Sequence, residues 1–379
     1  MAGIYIHIPF CNSFCSYCNF YSVKGKRYRE QYVKAIKREI AEKKEYFKKL
    51  GVSPSTIYFG GGTPSVLSVD AVKEIFDTIL KEFGFAPQEA TIEVNPNDIT
   101  FEYAKGLKEI GFNRISMGVQ SFIDEHLLWM NRRHRSQEAI EAYYILRKAG
   151  FDNISLDLIF GFSLLTTPLW EYNLSKIIDL KPNHISSYQL SIEPGSALSA
   201  QYSKNLYEPL DDLVCAQQYS ILQQELSNAG YEQYEISNFA LKDNNAAAQR
   251  SVHNSSYWIK EPYLGLGPAA HSYNGTERFW NTSSVVKYCK HYIDKDNTIK
   301  VSEIECLTPQ DIFNESVMLG LRTLEGVNLS TLNPGFRAII ESDITEHIKR
   351  GNLIMEGDTI KIPSNKLFVS DGIIRDLFV

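Results

Sequence analysis

Residues 4–20 read IYIHIPFCNSFCSYCNF, and the rest of the chain is organised around this stretch. The apolar run Ile4–Ile8 predicts a buried strand, which Pro9 ends because proline has no backbone N–H to donate. Three cysteines follow with the spacing C-x3-C-x2-C, at Cys11, Cys15 and Cys18. Thiolates on one short loop can converge on one metal centre, and a [4Fe–4S] cluster held by three of them keeps one iron open for an exchangeable ligand. The stretch therefore predicts a strand followed by a reactive iron–sulfur centre.

Three other interpretations of these cysteines stay open at this point. They could hold a structural zinc ion, which prefers four ligands, but His7 could supply the fourth only by reaching out of the strand. They could form a disulfide, although the sequence shows no secretory signal. They could also be buried apolar residues. The remaining cysteines, Cys215, Cys289 and Cys306, are far apart in the sequence, and we interpret them as structural.

Composition excludes several classes of function. The 379 residues are 44% hydrophobic and 22% charged, as in an ordinary globular protein of about two domains. The net charge of −6 argues against general nucleic-acid binding, which needs a basic surface. No apolar run reaches the ~18 residues of a membrane span. We therefore expect a cytoplasmic protein that has no nucleic-acid partner and is not an integral membrane protein.

Apolar runs typical of strands alternate with helical patterns over residues 1–230. The runs are Ile4–Ile8, Thr56–Gly60, Thr91–Val94, Arg114–Gly118, Ile154–Phe160 and Ile185–Ile192. Between them, Ser68 predicts a helix N-cap, while Gly84 and Gly111 predict helix C-terminal ends. Six strand–helix units predict a parallel α/β sheet, in which functional side chains are expected at the carboxyl ends of the strands.

The last part of the chain has a different pattern. Thr308 and Pro309 predict the start of a helix. Near the end, Leu353–Met355 and Thr359–Ile362 flank Glu356–Asp358, which predicts a β-hairpin. We predict an α/β domain at residues 1–294 and a small α+β, winged-helix-like domain at residues 295–379. Because the chain is acidic, the small domain is expected to pack on the larger one or cover the substrate, not to read DNA.

The segment Tyr5–Phe10, followed directly by C-x3-C-x2-C, resembles the radical S-adenosylmethionine (SAM) superfamily. Within it, the chain is similar to the branch of oxygen-independent coproporphyrinogen III oxidases and heme chaperones, and the resemblance covers most of the chain. It implies a partial (β/α)6 TIM-like barrel with the C-terminal domain of that branch. It also implies a [4Fe–4S] cluster whose open iron is chelated by SAM, so that reduction yields a 5′-deoxyadenosyl radical.

Residues at the ends of the predicted strands match family positions that contact SAM. Gly60–Pro64 follows the second strand, where glycines allow close approach of a ligand to the backbone. Glu93 would bind ribose hydroxyls, while Gln120, Arg132 and Asp157 match a second SAM position of the oxidase. From the residues alone, Glu93 could equally form an ion pair and Arg132 could belong to a surface cluster. The set implied by the resemblance is Tyr5, Tyr17, Gly61, Gly62, Thr63, Glu93, Gln120, Arg132 and Asp157.

Two segments depart from the family pattern on this side of the pocket. Asn131 stands before Arg132, where glycine is usual. After Gly161, the usual Leu-Pro-Gly-Gln-Thr is replaced by Phe162–Thr166. The shape of that side of the pocket therefore does not follow from the resemblance.

Two further features resemble the heme-chaperone side of the branch. Phe20 occupies the place of a fourth cysteine that the oxidases have one residue after the third. The sequence HNxxYW begins at His253, and its imidazole could ligate heme iron while its aromatic residues cover the porphyrin. An ordinary packed corner is the alternative for an isolated match, and His271 is a second candidate ligand. The implied heme residues are His253, Asn254, Tyr257 and Trp258.

The function predicted from these features is that of a radical SAM-type heme chaperone. It would bind heme and transfer it to an acceptor protein, with respiratory proteins as one candidate class, and a homodimer stays open. We assign no catalytic side chain and expect no coproporphyrinogen oxidase activity. The first alternative is an oxygen-independent coproporphyrinogen III oxidase, a radical SAM oxidative decarboxylase. The second is a zinc-stabilised barrel without redox chemistry.

Overall fold

Strands and helices alternate along most of the chain in the computed structural model, which describes residues 2–242, 249–294 and 298–379. The strands are β1 (Gly3–Ile8), β2 (Phe10–Cys11), β3 (Val23–Lys24), β4 (Thr56–Gly61), β5 (Glu89–Val94), β6 (Arg114–Gln120), β7 (Asn153–Phe160), β8 (His184–Gln189), β9 (Tyr231–Gln233), β10 (Asn238–Leu241), β11 (Tyr263–Leu266), β12 (His271–Tyr273), β13 (Glu277–Asn281), β14 (Ser302–Cys306), β15 (Val327–Asn328), β16 (Ile354–Glu356) and β17 (Thr359–Lys361). The helices are α1 (Arg29–Glu42), α2 (Tyr46–Leu50), α3 (Val69–Phe83), α4 (Phe101–Ile110), α5 (Asp124–Trp129), α6 (Ser136–Lys148), α7 (Thr167–Leu180), α8 (Ala197–Tyr202), α9 (Asp212–Asn228), α10 (Val252–Trp258), α11 (Val285–Asp294), α12 (Pro309–Leu321), α13 (Pro334–Lys349) and α14 (Ser370–Arg375).

Twelve strands form one large sheet in the order β14-β13-β12-β11-β1-β4-β5-β6-β7-β8-β10-β9. The pairings from β11 to β8 are all parallel, so seven adjacent strands run in one direction. Six of these are the strands expected from the sequence, and β11 adds a seventh beside β1. Among the described residues, β14 and β9 are the two edges, so the sheet does not close on itself. The predicted partial barrel of α/β class is confirmed.

The parallel strands alternate between apolar and polar side chains over most of their length. Residues such as Ile6, Phe59 and Met117 point outward and are completely buried under the surrounding helices. The opposite face carries polar side chains, which are Tyr5, His7, Thr56, Tyr58, Thr91, Glu93, Ser116, Ser155, Asp157, His184 and Ser186. TIM-barrel interiors are usually filled by branched apolar residues. A polar interior therefore indicates a lumen built around ligands and hydrogen bonds.

The sheet is curved enough for distant strands to face one another across this interior. The charge of Tyr188 on β8 adds to the raised pKa of Tyr58 on β4, after the larger effect of burial, although four strand spacings separate the two strands in the sheet. In a flat sheet, four spacings of about 4.8 Å would keep the two side chains roughly 19 Å apart. The carboxyl ends of the parallel strands consequently surround one mouth of the barrel.

Helix boundaries follow the signals present in the sequence. Ser68 Oγ accepts a hydrogen bond from Ala71 N at the start of α3, and Gly84 ends this helix at a φ of +65°. Gly111 ends α4 at a φ of +117°. Several strand boundaries differ from the predicted ones, most of them by one or two residues, and the largest difference is that β8 ends at Gln189 and not at Ile192. No helix within the described ranges is long and apolar enough to cross a membrane.

The C-terminal part has the predicted α+β character. Thr308 caps α12, and β16 and β17 form an antiparallel hairpin whose turn contains Gly357 at a φ of +61°. The small sheet has the order β15-β17-β16. β14 pairs with β13 and so extends the large sheet beyond residue 294. The predicted boundary between residues 294 and 295 touches residues 295–297, outside the described ranges, and stays a prediction.

Candidate functional site

The cluster loop, residues 11–18, follows β1 at the carboxyl end of the parallel sheet. The glycine turn after β4 lies against it, because Thr63 N donates a hydrogen bond to Phe10 O (2.8 Å). A Cβ at Gly62 would lie 2.8 Å from the same Phe10 oxygen, so only glycine permits this approach. Cys11 Sγ lies 3.4 Å from Thr63 Oγ1. The cysteine loop and the glycine turn therefore form one structural unit.

The three cysteines of the loop are free thiols that influence one another electrostatically. Burial raises the pKa of the Cys18 thiol to about 11, and the charges of Cys15 and Cys11 add to this rise. Thiolates at such positions repel one another unless cations lie among them, which is what an iron centre supplies. No group of three or more His, Cys, Asp or Glu side chains in the described part of the chain is arranged to hold a single metal ion.

Residues 130–132, between α5 and α6, hold the outer side of the cluster loop. Their bonds to it are Ser16 N to Met130 O (3.0 Å), Asn131 Nδ2 to Phe14 O (2.6 Å) and Arg132 Nη1 to Cys15 Sγ (3.3 Å). Asn131 adopts a φ of +55°, a left-handed conformation that asparagine tolerates better than most residues. Its side chain supplies a loop contact that the glycine usual at this position could not make.

Glu93 lies next to the glycine turn inside the barrel mouth. Its carboxylate accepts hydrogen bonds from the Tyr58 hydroxyl (2.9 Å) and from Gly61 N (3.2 Å). Burial raises the pKa of Glu93 to about 7, and the charge of Asp157 adds to the rise. Gly61 has a φ of +106°, and a Cβ there would lie 2.7 Å from the His7 ring. Glu93 is thus a buried acceptor beside a backbone that can approach a ligand closely.

Gln120 and Asp157 lie further along the same mouth, on β6 and β7. Gln120 has a φ of +69° at a bulge in β6, and its Oε1 is buried without a hydrogen-bond partner among the described residues. Asp157 accepts from Ser116 Oγ (3.4 Å), and burial raises its pKa to about 6. A strained residue with an unsatisfied polar atom is typical of a ligand-binding position.

The two tyrosines of the predicted SAM set are both close to this mouth. The Tyr5 hydroxyl lies 3.1 Å from His7 Nδ1, and its ring stacks on Tyr58 at 6.2 Å. Tyr17 lies within the cluster loop, where burial and then the charge of Cys15 raise its pKa. The predicted cluster and SAM residues therefore come together at one end of the barrel. The three thiols and the unpaired polar atoms fit a cluster with a polar ligand, and the individual SAM contacts stay predictions.

The HNxxYW motif lies at the opposite end of the barrel. It forms the helix α10, which is capped by Ser251, whose Oγ accepts a hydrogen bond from Asn254 N. The Glu89 carboxylate accepts from Val252 N (2.8 Å) and His253 N (2.9 Å), and Glu89 is the first residue of β5. α10 is therefore attached at the amino end of the strands, away from the cysteine loop.

His253 is buried at this end with both ring nitrogens in contact with side chains. Nδ1 lies 2.7 Å from Thr56 Oγ1, and Nε2 lies 2.8 Å from the Tyr257 hydroxyl. The ring also stacks on Tyr58 with centroids 5.0 Å apart. Burial, followed by the charge of Arg114, lowers the pKa of His253 to about 3. His253 and Tyr257 do lie on one helix face, as their spacing predicts, but in this conformation the tyrosine hydroxyl occupies the nitrogen that would bind iron.

The other residues proposed for heme differ in accessibility. Asn254 and Trp258 are half-buried, and Trp258 Nε1 is buried without a partner in the described part of the chain. His271, the second candidate ligand, is exposed near the cluster end and stacks on Trp280 at 5.6 Å. Its ring makes no hydrogen bond to any described residue. The structure thus offers one enclosed and one accessible imidazole.

Three structural features of the site were not anticipated from the sequence. Tyr58 connects the two ends of the barrel, because its hydroxyl contacts Glu93 and its ring contacts His253. The polar positions of β4, alternating with Ile57 and Phe59, could have revealed its inward orientation. The anchoring of α10 by Glu89 and of the cluster loop by residues 130–132 depends on contacts between distant segments, and no local signal predicts them.

Comparisons with known proteins agree with this geometry. The family model of the radical SAM superfamily matches residues 5–166. The heme chaperone HemW of Bacillus subtilis is 35% identical over 336 residues, which cover 86% of this chain and 85% of that protein. HemW of Lactococcus lactis is 32% identical over 91% of this chain and 87% of that protein. The structure of coproporphyrinogen III oxidase (HemN) from Escherichia coli superposes with a TM-score of 0.84 at 22% identity, covering 100% of this chain and 90% of that one.

The fold, the cysteine loop and the family match together define a radical SAM protein. Membership of this superfamily implies a [4Fe–4S] cluster and SAM. The chain belongs, within the superfamily, to the HemW family. The likeness to HemN, at 22% identity, establishes the shared fold alone.

Proposed function

We propose that this protein is a heme chaperone of radical SAM type, which binds heme and transfers it to an acceptor protein. The observation that carries the proposal is the identity of 35% to a protein named heme chaperone HemW, over 86% of this chain and 85% of that one. The match extends over most of the length of both proteins. We also propose that the protein is cytoplasmic and that its acceptor is a respiratory protein.

The cysteine end of the barrel is proposed to hold the cluster and SAM. Cys11, Cys15 and Cys18 would ligate the cluster, which supplies one-electron reduction of SAM when it is bound. This chain's own residues would position the ligand: Gly61 allows close backbone approach, and the Glu93 carboxylate can accept from ribose hydroxyls. Burial at the barrel mouth strengthens each of these polar contacts.

The opposite end of the barrel is proposed to bind heme through α10. Heme iron requires an unprotonated imidazole nitrogen, and the lowered pKa of His253 keeps its ring neutral. Ligation requires that Nε2 exchange its hydrogen bond with the Tyr257 hydroxyl for the iron. The half-buried Trp258 beside it supplies an aromatic surface for the macrocycle. We therefore propose that α10 moves outward when heme binds.

Coproporphyrinogen III oxidase remains the alternative function. The specific observation that bears on it is Phe20, which stands where the oxidases have a fourth cysteine and is 68% exposed beside the cluster loop. We expect no conversion of coproporphyrinogen III to protoporphyrinogen IX. Product analysis in an anaerobic assay with SAM and a reductant tests this expectation. SAM-dependent decarboxylation would show that the protein is a coproporphyrinogen III oxidase.

An anaerobic heme titration of the reconstituted full chain tests the proposed function. A saturable change of the Soret band with one heme per chain is expected. Subsequent mixing with apomyoglobin, used as a generic acceptor, should transfer the heme and produce the myoglobin spectrum. A protein that holds its cluster but shows no saturable heme binding would overturn the proposal.

A further inference from the structure

Arg132 contacts a predicted cluster ligand directly. Its Nη1 donates to Cys15 Sγ (3.3 Å), and its Nη2 donates to Gly118 O (2.6 Å). Its Nε is buried and has no partner among the described residues. The resemblance to the oxidases assigns Arg132 to a second SAM position, but its hydrogen bonds in this structure are to the cysteine loop and the β6 backbone.

The guanidinium hydrogen-bonds to no carboxylate among the described residues, and the ionisable groups that it hydrogen-bonds are Cys15 and Tyr17, both in the cluster loop. The adjacent Arg133 differs, because its Nη2 donates to both carboxylate oxygens of Asp98 (2.8 and 2.9 Å). Arginine stays protonated in proteins, so a guanidinium without a carboxylate partner needs another source of negative charge. For Arg132 the Cys15 sulfur is one such source in direct contact, while the Asp157 carboxyl interacts with the guanidinium through its charge without a hydrogen bond.

The backbone around Arg132 fixes this contact. Asn131, at its left-handed φ, donates to Phe14 O, and Met130 O accepts from Ser16 N. These bonds flank Cys15 on both sides, so the loop and the guanidinium cannot separate without breaking them. The N–H···S contact is therefore held by its surroundings and is not an accidental approach of a flexible side chain.

We propose that Arg132 is a positioning residue of the cluster, which raises its reduction potential through the hydrogen bond to Cys15 Sγ. One-electron reduction by an external donor makes the cluster more negative, and a hydrogen bond and positive charge at a ligand sulfur favour the more negative state. The inference rests on the proposed cluster at Cys11, Cys15 and Cys18. It does not depend on whether the protein binds heme.

The test is a redox titration of the reconstituted full chain followed by electron paramagnetic resonance, without SAM or heme. Arg132→Met removes both the charge and the donor and should give the largest shift to a more negative midpoint potential. Arg132→Gln keeps a donor without the charge and should give a smaller shift in the same direction, and Arg132→Lys the smallest. Arg133→Met removes a neighbouring arginine that does not touch the loop, so it serves as the control and should leave the potential unchanged.

Outcomes of this experiment separate the inference from the proposed cluster. If wild type and Arg133→Met assemble no cluster, the proposed cofactor fails along with this inference. If they assemble it and every Arg132 variant that retains a cluster has the wild-type potential, the inference alone is overturned. If Arg132→Met does not retain iron and sulfide, the midpoint potentials of Arg132→Gln and Arg132→Lys test the inference in its place. Equal shifts in Arg132→Met and Arg133→Met would also overturn the inference, because they would reflect general surface charge.

Discussion

The two ends of the barrel differ in how completely their polar groups are satisfied. At the cysteine end, Gln120 Oε1, Arg132 Nε and Ser16 Oγ are buried without partners among the described residues. At the α10 end, Trp258 Nε1 has no partner among the described residues, but both nitrogens of His253 have side-chain partners and the Glu89 carboxylate binds the start of the helix. Each buried polar group without a partner costs on the order of 1–3 kcal/mol of stability. A ligand that hydrogen-bonds to the group removes this cost.

This difference indicates two kinds of binding site. The cysteine end is preorganised, because hydrogen bonds within the protein already hold its loops. Its unpaired buried polar atoms are free to bind a ligand. The α10 end is closed, since binding heme at His253 first breaks an existing hydrogen bond. Tyr58 touches both ends through Glu93 and His253, so a change at one end has a direct path to the other. The predictions below test the two ends separately.

The largest effect is expected at the preorganised end. Cys15→Ala should abolish the iron and sulfide content after anaerobic reconstitution, while circular dichroism stays that of the folded barrel. The physical reason is that the loop thiols contribute little to the apolar core, whereas the cluster needs all three. Cys306→Ala is the matched control, because this thiol is exposed on β14 and remote from the loop. Retention of full iron and sulfide in Cys15→Ala would show that the cluster assignment is wrong.

The second-largest effect is expected for heme ligation by His253 at the α10 end. His253→Ala should remove the axial-ligand signature from the Soret band and weaken heme binding in a titration. It also leaves Thr56 and Tyr257 without a partner, which costs about 1–3 kcal/mol of unfolding free energy for each buried group. His271→Ala is the comparison, because that imidazole is exposed and hydrogen-bonds to no described residue. If only His271→Ala altered the spectrum, the heme ligand would be the accessible histidine.

SAM affinity is expected to depend on pH through Glu93. Its pKa of about 7 means that the carboxylate, which we propose accepts from ribose hydroxyls, forms only as the pH rises through this value. SAM should therefore bind about tenfold more tightly at pH 8 than at pH 6, as measured by equilibrium dialysis. Glu93→Gln should bind weakly and without this dependence. Asp157→Asn removes a charge that raises the pKa of Glu93, so in this variant the pH dependence should move to lower pH.

The smallest effect distinguishes a closed heme site from an open one. Tyr257→Phe keeps the aromatic ring but removes the hydroxyl that occupies Nε2 of His253. Because one hydrogen bond no longer has to be broken, heme affinity should increase roughly fivefold, equivalent to about 1 kcal/mol. Tyr257→Ala should instead weaken binding while leaving the ligation spectrum similar, since it removes the ring as well. Unchanged affinity in Tyr257→Phe would contradict the closed site.

Sequence reasoning predicted the fold well because its signals are local. The alternation of Ile57, Tyr58 and Phe59 marks a strand with two different faces, and Ser68 and Gly84 mark the ends of a helix. The six strand–helix units and the terminal hairpin follow from such patterns. β11 was not among the six predicted strands, because its parallel pairing with β1 joins residues more than 250 positions apart and has no local signal.

The candidate site was only partly predictable for the same reason. The cysteine spacing, the glycine turn and the position of Glu93 after a strand are local features, so the cysteine end was anticipated. The placement of α10 at the opposite end was not, because it depends on Glu89 binding the helix start from a distant strand.

The sequence by itself determined the strand–helix order, the three-thiol loop and the membership in a radical SAM family, since short-range periodicity and motif spacing encode all three. Only the tertiary structure decided which groups are satisfied. It paired Arg132 with Cys15 and enclosed His253 between Thr56, Tyr58 and Tyr257. Hydrogen-bond partners and burial arise from segments that meet only on folding, and these contacts separate a preorganised site from a closed one.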